Sequence, residues 1–338
     1  MRYRTFGRQT GLRVSEYVLG TANFGSAPTA AGVEGAKAIF GAFVAAGGTT
    51  FDVSNIYQDG EAETVLGELL GRERDDFVLI TKYGGSRQAA VRPGTTGNSR
   101  KTMIRSLEES LRRLKTDYVD VFMPHFPDGV TPVPEILAGF EDLVRAGKIR
   151  YGGLSNFPAW RVAGAAVRGG PLAGIQTEYS LAERSAEREL LPMAQAHGLG
   201  VVAYSPLAGG LLTGKYQRGE RGRLSARPAV TGQRADVLDA VLAVAEEAGT
   251  GPVQVALAWL RQRAARTSMI PIVGPRTPAH LEGYLAALDV ELSAEHHRRL
   301  DEVSAIRLGT PHEDVAAALA SGADGDRSLL DAPPVPVP

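Results

Sequence analysis

Phe77-Val78-Leu79-Ile80-Thr81 is an apolar run, and Val119-Asp120-Val121-Phe122-Met123 is another. Between them, in 99–115, Met103, Ile104, Leu107, Leu111 and Leu114 recur at spacings of three and four, behind Ser99 as a candidate N-cap. A strand buried on both faces reads as a continuous apolar run rather than as alternation, so this stretch reads as strand, helix, parallel strand. Working outward, the same unit repeats. Strand-like runs fall at 17–19, 50–53, 77–81, 119–123, 151–154, 174–176, 200–204 and 268–273. Amphipathic stretches lie at 33–46, 61–71, 134–146, 159–168, 187–197 and 277–288, and 235–264 reads as two helices parted near Gly249-Thr250-Gly251-Pro252.

Eight strand–helix units in one chain of 338 residues match an α/β fold of the (β/α)8 TIM-barrel type, as a single domain. The rival is a doubly wound sheet. A dinucleotide-binding unit of that type wants Gly-x-Gly-x-x-Gly after its first strand, and the 40 glycines contain that spacing nowhere. The barrel is therefore expected over 1–310, with 311–338 as a C-terminal extension. Its ending, Pro333-Pro334-Val335-Pro336-Val337-Pro338, reads as a disordered tail. The Arg- and Gly-rich stretch 217–235 reads as a long functional loop.

Composition removes several chemistries. With 37 Lys and Arg against 38 Asp and Glu the net charge is −1, which argues against nucleic acid as a partner. No run reaches the ~18 apolar residues of a membrane span, and Met1–Gly7 lacks the apolar core of a signal peptide, so a cytoplasmic protein is expected. Absence of cysteine removes disulfides, thiolate nucleophiles and Cys-ligated metals. The pair His296-His297 sits among Glu295, Arg298 and Arg299, a solvated helix face, and no His-Glu-x-x-His motif occurs. No metal is expected. The sequence leaves the oligomeric state open.

In a barrel, function collects where strands end at the C-terminal face. The second strand ends in Asp52, with Tyr57 five residues on; the third ends in Lys82; His125 follows the fourth. Later ends carry Ser155-Asn156, Gln176, Tyr204-Ser205-Pro206 and Gly274-Pro275-Arg276. Singly, each has an ordinary explanation. Asp52 can bond loop amides, Tyr57 can lie on the surface, Lys82 can be a solvated cation, and His125 a satisfied core residue. Jointly these explanations weaken, because four titratable types leave consecutive strand ends in one layer. An ammonium beside a phenol favours the phenolate, a carboxylate holds that ammonium, and an imidazole orients a carbonyl or relays a proton. This is equipment for protonating an oxygen as hydride reaches its carbon.

Asp52-Val53-Ser54-Asn55-Ile56-Tyr57 with Glu63-Thr64-Val65-Leu66-Gly67 resembles the aldo-keto reductase family. So do 118–125, Gly153-Leu154-Ser155-Asn156-Phe157 and the stretch 204–216, in the expected order over roughly residues 1 to 305. The resemblance implies a (β/α)8 barrel that binds NADPH without a dinucleotide fold and reduces an aldehyde or ketone. It implies a tetrad of Asp52, Tyr57, Lys82 and His125, with Tyr57 as general acid, Lys82 paired to Asp52 tuning it, and His125 positioning the substrate oxygen. Gly20, Thr21 and Gly274 would border the cofactor. Ser155, Asn156 and Gln176 would bond its carboxamide, and Tyr204 would stack on its ring. Ser205, Pro206, Leu207 and Gly209 would follow the pyrophosphate, and Lys215, Arg227 and Arg276 would meet the phosphates. The adenosine end departs from the family pattern, with His280 where Gln or Arg is usual and Gly283-Tyr284 where Glu-Asn is usual. Phe126 stands in place of a tryptophan.

The substrate pocket is expected from Phe24, Tyr57, His125, Phe126 and the loops 83–98 and 217–235. Two other readings remain at this point. One is an NADP-binding regulatory subunit, since potassium-channel beta subunits share the architecture. The other is a Schiff-base aldolase using Lys82.

Overall fold

Eight strands pair in parallel, each with the next, and the last returns to the first. They are β3 (Val18–Gly20), β4 (Thr50–Asp52), β5 (Val78–Tyr83), β6 (Val119–Pro124), β7 (Ile149–Ser155), β8 (Leu172–Glu178), β9 (Gly200–Tyr204) and β10 (Met269–Val273). Closure is made by Ile272 beside Val18 and Val273 beside Leu19. This computed structural model describes residues 1–86, 91–220, 230–264, 268–322 and 325–329. The (β/α)8 reading holds, and all eight expected strand runs fall on barrel strands.

Helices α1 (Gly32–Ala45), α2 (Glu61–Leu70), α3 (Arg100–Leu114), α4 (Val133–Arg145), α5 (Ala159–Ala166), α6 (Leu190–Ala196), α7 (Gln233–Glu247), α8 (Pro252–Ala264) and α9 (Pro278–Leu285) cover the barrel. In α3 the Ser99 side chain accepts from the Thr102 amide, as an N-cap does, and Lys115 closes the helix in the left-handed region at φ 53°. Met103, Leu107, Leu111 and Leu114 are buried against the sheet, whereas Ile104, assigned to the same stripe, is 41% exposed. Helices α10 (Ala294–Ser304) and α11 (His312–Ala320) follow the barrel. His296 and His297 lie on α10, and a ring nitrogen of each lies 3.3 Å from a carboxylate oxygen, of Glu247 and Asp301 respectively.

The pleat sorts the strands into two cores. Leu19, Phe51, Leu79, Phe122 and Ile175 pack outward under the helices. Val18, Val78, Ile80, Val121, Met123, Val202 and Ile272 fill the barrel interior. Lys82 lies two residues beyond Ile80 on β5, so it continues the inward face into the top layer. Asp52 pairs with Ile80, and Gln176 with Val202, so both share that face.

One element went unanticipated. The strands β1 (Tyr3–Thr5) and β2 (Arg13–Ser15) form an antiparallel hairpin at the N-terminal end of the barrel. Phe6, between them, is buried in the interior core and lies where a Cβ on Gly174 or Gly200 would be, 2.6 and 2.3 Å away. No helix among the described residues is long and apolar enough to cross a membrane.

Candidate active site

Lys82 organises the C-terminal face. Its side chain is fully buried, and its Nζ donates to both Asp52 carboxylate oxygens at 2.7 and 2.8 Å and to the Val53 carbonyl at 2.9 Å. Tyr57 Oη is 3.4 Å from the same nitrogen. Burial by itself would depress the ammonium, but Asp52 and Tyr57 outweigh it and hold Lys82 above its ordinary pKa. Asp52 takes one further bond, from Gln176 Nε2 at 2.7 Å. Such a buried pair is costly to break: losing one partner leaves the other charge stranded, at about 3–5 kcal/mol.

Tyr57 stands at the head of a tight turn rather than on a strand. Gln58, Asp59 and Gly60 follow it with φ of 50°, 55° and 95°. Two successive non-glycine residues in that region store strain, of order 1–3 kcal/mol each, which surrounding contacts must hold. Gln58 Nε2 supplies one contact by donating to the Ala22 carbonyl at 2.9 Å.

His125 leaves β6 with its backbone amide on the Tyr83 carbonyl, and its ring meets Tyr57 edge-on at 5.8 Å. Phe126 stacks on the imidazole at 4.4 Å with planes 4° apart, and remains half exposed. Burial, and then the Lys82 charge, push the His125 pKa down to about 3. The ring is therefore neutral over the ordinary pH range. Its Nδ1 is 3.1 Å from Ser54 Oγ, a partner the sequence reading passed over. Ser54 lies within the Asp52–Tyr57 stretch, but nothing local links it to a residue 71 positions on; the two meet because β4 and β6 flank β5 and end at the same face of the barrel.

Around these groups opens a cleft of about 570 Å³, of the size that holds small ligands. Asp52, Tyr57, His125, Phe126, Asn156 and Gln176 line its inner end. Tyr204 lines it too, donating from Oη to Asn156 Oδ1 at 2.9 Å, and burial raises its phenol to about 12. Asn156 in turn donates to the His125 carbonyl at 2.9 Å. The cleft continues past Gly20, Ser205, Pro206, Leu207, Gly209 and Gly274 to Lys215, Arg276 and His280. Burial and the two neighbouring cations lower the His280 pKa.

Several expected members stand elsewhere. Phe24 is fully buried in the outer core and does not line the cleft. Thr21 is likewise buried, its hydroxyl donating to the Asp52 carbonyl at 2.9 Å. Ser155 is buried, and its Oγ accepts from Asn156 Nδ2 at 3.1 Å. Thr21 comes one residue after Gly20, which lines the cleft, so the pleat turns it the other way; Ser155 pairs with Gln176 but is buried against Asn156, and Phe24 lies in the loop after β3. Gln176 keeps its place in the cleft, with its amide nitrogen committed to Asp52. None of the described residues of the loop 83–98 lines the cleft, whereas Arg218 and Glu220 of 217–235 do. Arg227, residues 87–90 and the proline-rich end lie outside the described residues.

The outer cleft fits an extended dinucleotide phosphate on its own residues. Lys215 and Arg276 offer cations with no acidic side chain paired to either among the described residues, and the backbone after Tyr204 turns repeatedly through the left-handed region. Ser205, Ala208, Gly209 and Gly210 all take positive φ, from 49° to 92°. A Cβ on Gly210 would lie 2.9 Å from Lys215 Nζ, so glycine keeps that cation's place open. Asn23, Val253 and Tyr284, of which the sequence reading placed only Tyr284 near this end, complete the wall.

Comparison with known proteins gives a consistent family. The model of the aldo/keto reductase family matches residues 16–305. The Bacillus subtilis (strain 168) protein named uncharacterized oxidoreductase YrpG is 38% identical over 318 residues, covering 90% of this chain and 96% of its own. The aryl-alcohol dehydrogenase [NADP(+)] of Phanerodontia chrysosporium is 33% identical over 341 residues, 92% of this chain and 88% of that one. A putative voltage-gated potassium channel subunit beta of Schizosaccharomyces pombe is 35% identical over 279 residues, covering 75% and 79%.

Proposed function

The chain belongs to the aldo/keto reductase family, and from that premise we propose that it reduces an aldehyde or ketone to an alcohol with NADPH as hydride donor. The observation that carries this reading is the fully buried Lys82 ammonium, clamped by Asp52 and 3.4 Å from the Oη of Tyr57, and both of those residues line the cleft. When bound, the dinucleotide supplies the hydride that reaches the carbonyl carbon. Tyr57 gives its hydroxyl proton to the carbonyl oxygen, and Lys82 stabilises the phenolate left behind. His125, neutral and held at Nδ1 by Ser54, keeps its other ring nitrogen for the same oxygen. A Ser54 hydroxyl that donates to Nδ1 leaves the ring proton on Nε2, the tautomer that donates to a carbonyl.

Changing Tyr57→Phe removes only that proton. Turnover should fall about 10²–10⁴-fold while NADPH affinity stays within a factor of a few. Near-normal turnover at neutral pH would overturn the acid assignment. Preference for the 2′-phosphate rests on Lys215 and Arg276, because Gly283 offers no side chain at the adenosine end. A charge-assisted contact there is worth roughly 1.5–3 kcal/mol, so Arg276→Ala should weaken NADPH binding about one to two powers of ten and leave NADH nearly unchanged. Equal loss for both cofactors, read by fluorescence titration, would remove the NADP preference from Arg276.

A regulatory, cofactor-sensing role is kept as a second reading by the likeness to the potassium channel subunit. Carbonyl-dependent loss of NADPH absorbance, over many turnovers, separates the two. The aldolase reading loses support: Lys82 is held as an ammonium by three oxygens, and an amine nucleophile must be unprotonated.

A further inference from the structure

The opposite end of the barrel carries a second cleft, also of about 570 Å³, unconnected with any step of carbonyl reduction. The hairpin supplies Arg2, Arg4 and Arg8 to its wall, and the last turn of α8 supplies Arg261. Among the described residues, four guanidinium groups there meet one carboxylate, Glu16, which is buried and accepts from the Arg2 backbone amide at 2.6 Å. Ser268, at the entry to β10, adds a hydroxyl.

The chain as a whole is nearly neutral, so this is a local excess placed by the fold. Arg4 is half buried, and its pKa is lowered by that burial and further by Arg261 and Arg2, with Glu16 opposing. Arg8 Nη2 donates to Gln195 O at 2.6 Å and Arg261 Nη2 to Val290 O at 2.5 Å, and these carbonyls carry no net charge. Arg261 Nε is buried with no hydrogen-bond partner among the described residues, and so is the hydroxyl of Tyr17, whose ionisation burial opposes more than the Arg261 charge favours it. Guanidinium groups brought together in a half-buried concavity repel one another, and their planar forks match tetrahedral oxyanions.

We propose that this cleft at the N-terminal end of the barrel binds a phosphate group, either as inorganic phosphate or on a small phosphorylated metabolite, through Arg4 and Arg261 with Arg2 and Arg8 at the rim. Occupancy offsets part of the cluster's positive charge and ties the hairpin to α8, so the ligand stabilises the fold from the end remote from the active cleft.

The test is thermal unfolding of the full chain in inorganic phosphate against sodium chloride at matched ionic strength. At about 10 mM phosphate, a ligand that binds only the folded state should raise Tm by roughly 2 °C over chloride. Arg4→Gln should abolish the rise, and Arg276→Ala, at the other end, should keep it. Glycerol 3-phosphate in the same assay separates the sources: a larger rise than with phosphate points to a metabolite, an equal or smaller one to the free anion. Equal effects of phosphate and chloride would reduce the cluster to ordinary screening and overturn the proposal. A rise lost in Arg276→Ala and kept in Arg4→Gln would place the anion in the active cleft, which also overturns it. Should Arg4→Gln fail to fold, broadening of the phosphate 31P line by wild type, reversed in Arg8→Gln, supplies the same decision.

Discussion

His125 shows how one residue ties the site to the stability of the whole. Buried beside Lys82, it binds its proton only near pH 3 when folded, against an ordinary value near 6.5. The unfolded chain therefore holds a proton on this residue between those limits, and the folded chain does not. Stability contributed here is intact above pH 6.5 and is lost as the pH falls towards 3, at up to about 1.4 kcal/mol per pH unit. In urea unfolding at pH 4, 5 and 6, wild type should lose stability faster than His125→Gln by about that slope. Parallel slopes would show that the imidazole titrates normally. Activity should likewise show no break near pH 6.5 from this residue, because its proton is already gone.

At the scale of elements, the hairpin of β1 and β2 brings Phe6 to the stability of the barrel and no residue to the chemistry of the active cleft. Its Phe6 fills the floor of the barrel against Gly174 and Gly200, two positions where a Cβ would meet the ring at 2.6 and 2.3 Å. Removing a buried phenyl group costs about 3–5 kcal/mol, transfer and cavity together. Phe6→Ala should therefore lower the urea midpoint by an amount corresponding to that range, while cofactor affinity measured under folding conditions stays unchanged. A change in affinity with little loss of stability would mean that the floor communicates with the mouth. The turn after Tyr57 is the opposite case. Few apolar groups are at stake there, but Gln58 and Asp59 are held in the left-handed region to aim one phenol.

The whole molecule is closed by its most distant pairing, β10 beside β3, which joins Ile272 to Val18. No subset of strands completes the barrel without it, and both Ile272 and Val18 belong to the interior core. A chain ending after residue 267 should lose the cooperative urea transition, seen by far-ultraviolet circular dichroism as a broad slope. A sharp transition in that fragment would mean that the first seven barrel strands make an independent unit with the hairpin. Closure also separates two polar ends, with the Lys82 cluster at one and the Arg4–Arg261 cluster at the other.

Local pattern by itself determined the barrel. Residues 77–123 display strand, helix and strand because burial on both faces demands continuous apolar runs, and eight such units have few ways to close. The positions of Asp52, Tyr57, Lys82 and His125 at successive strand ends were legible for the same reason. Orientation was not. Phe24, Thr21 and Ser155 sit beside the cleft in sequence but are buried and do not line it, because which side chains the surrounding loops and strands cover is set by packing that no local signal records. Ser54 against His125, Gln176 against Asp52 and Arg4 near Arg261 join residues 71, 124 and 257 positions apart. Such pairings arise only when the sheet curls and its last strand meets its first, and tertiary structure alone decides them.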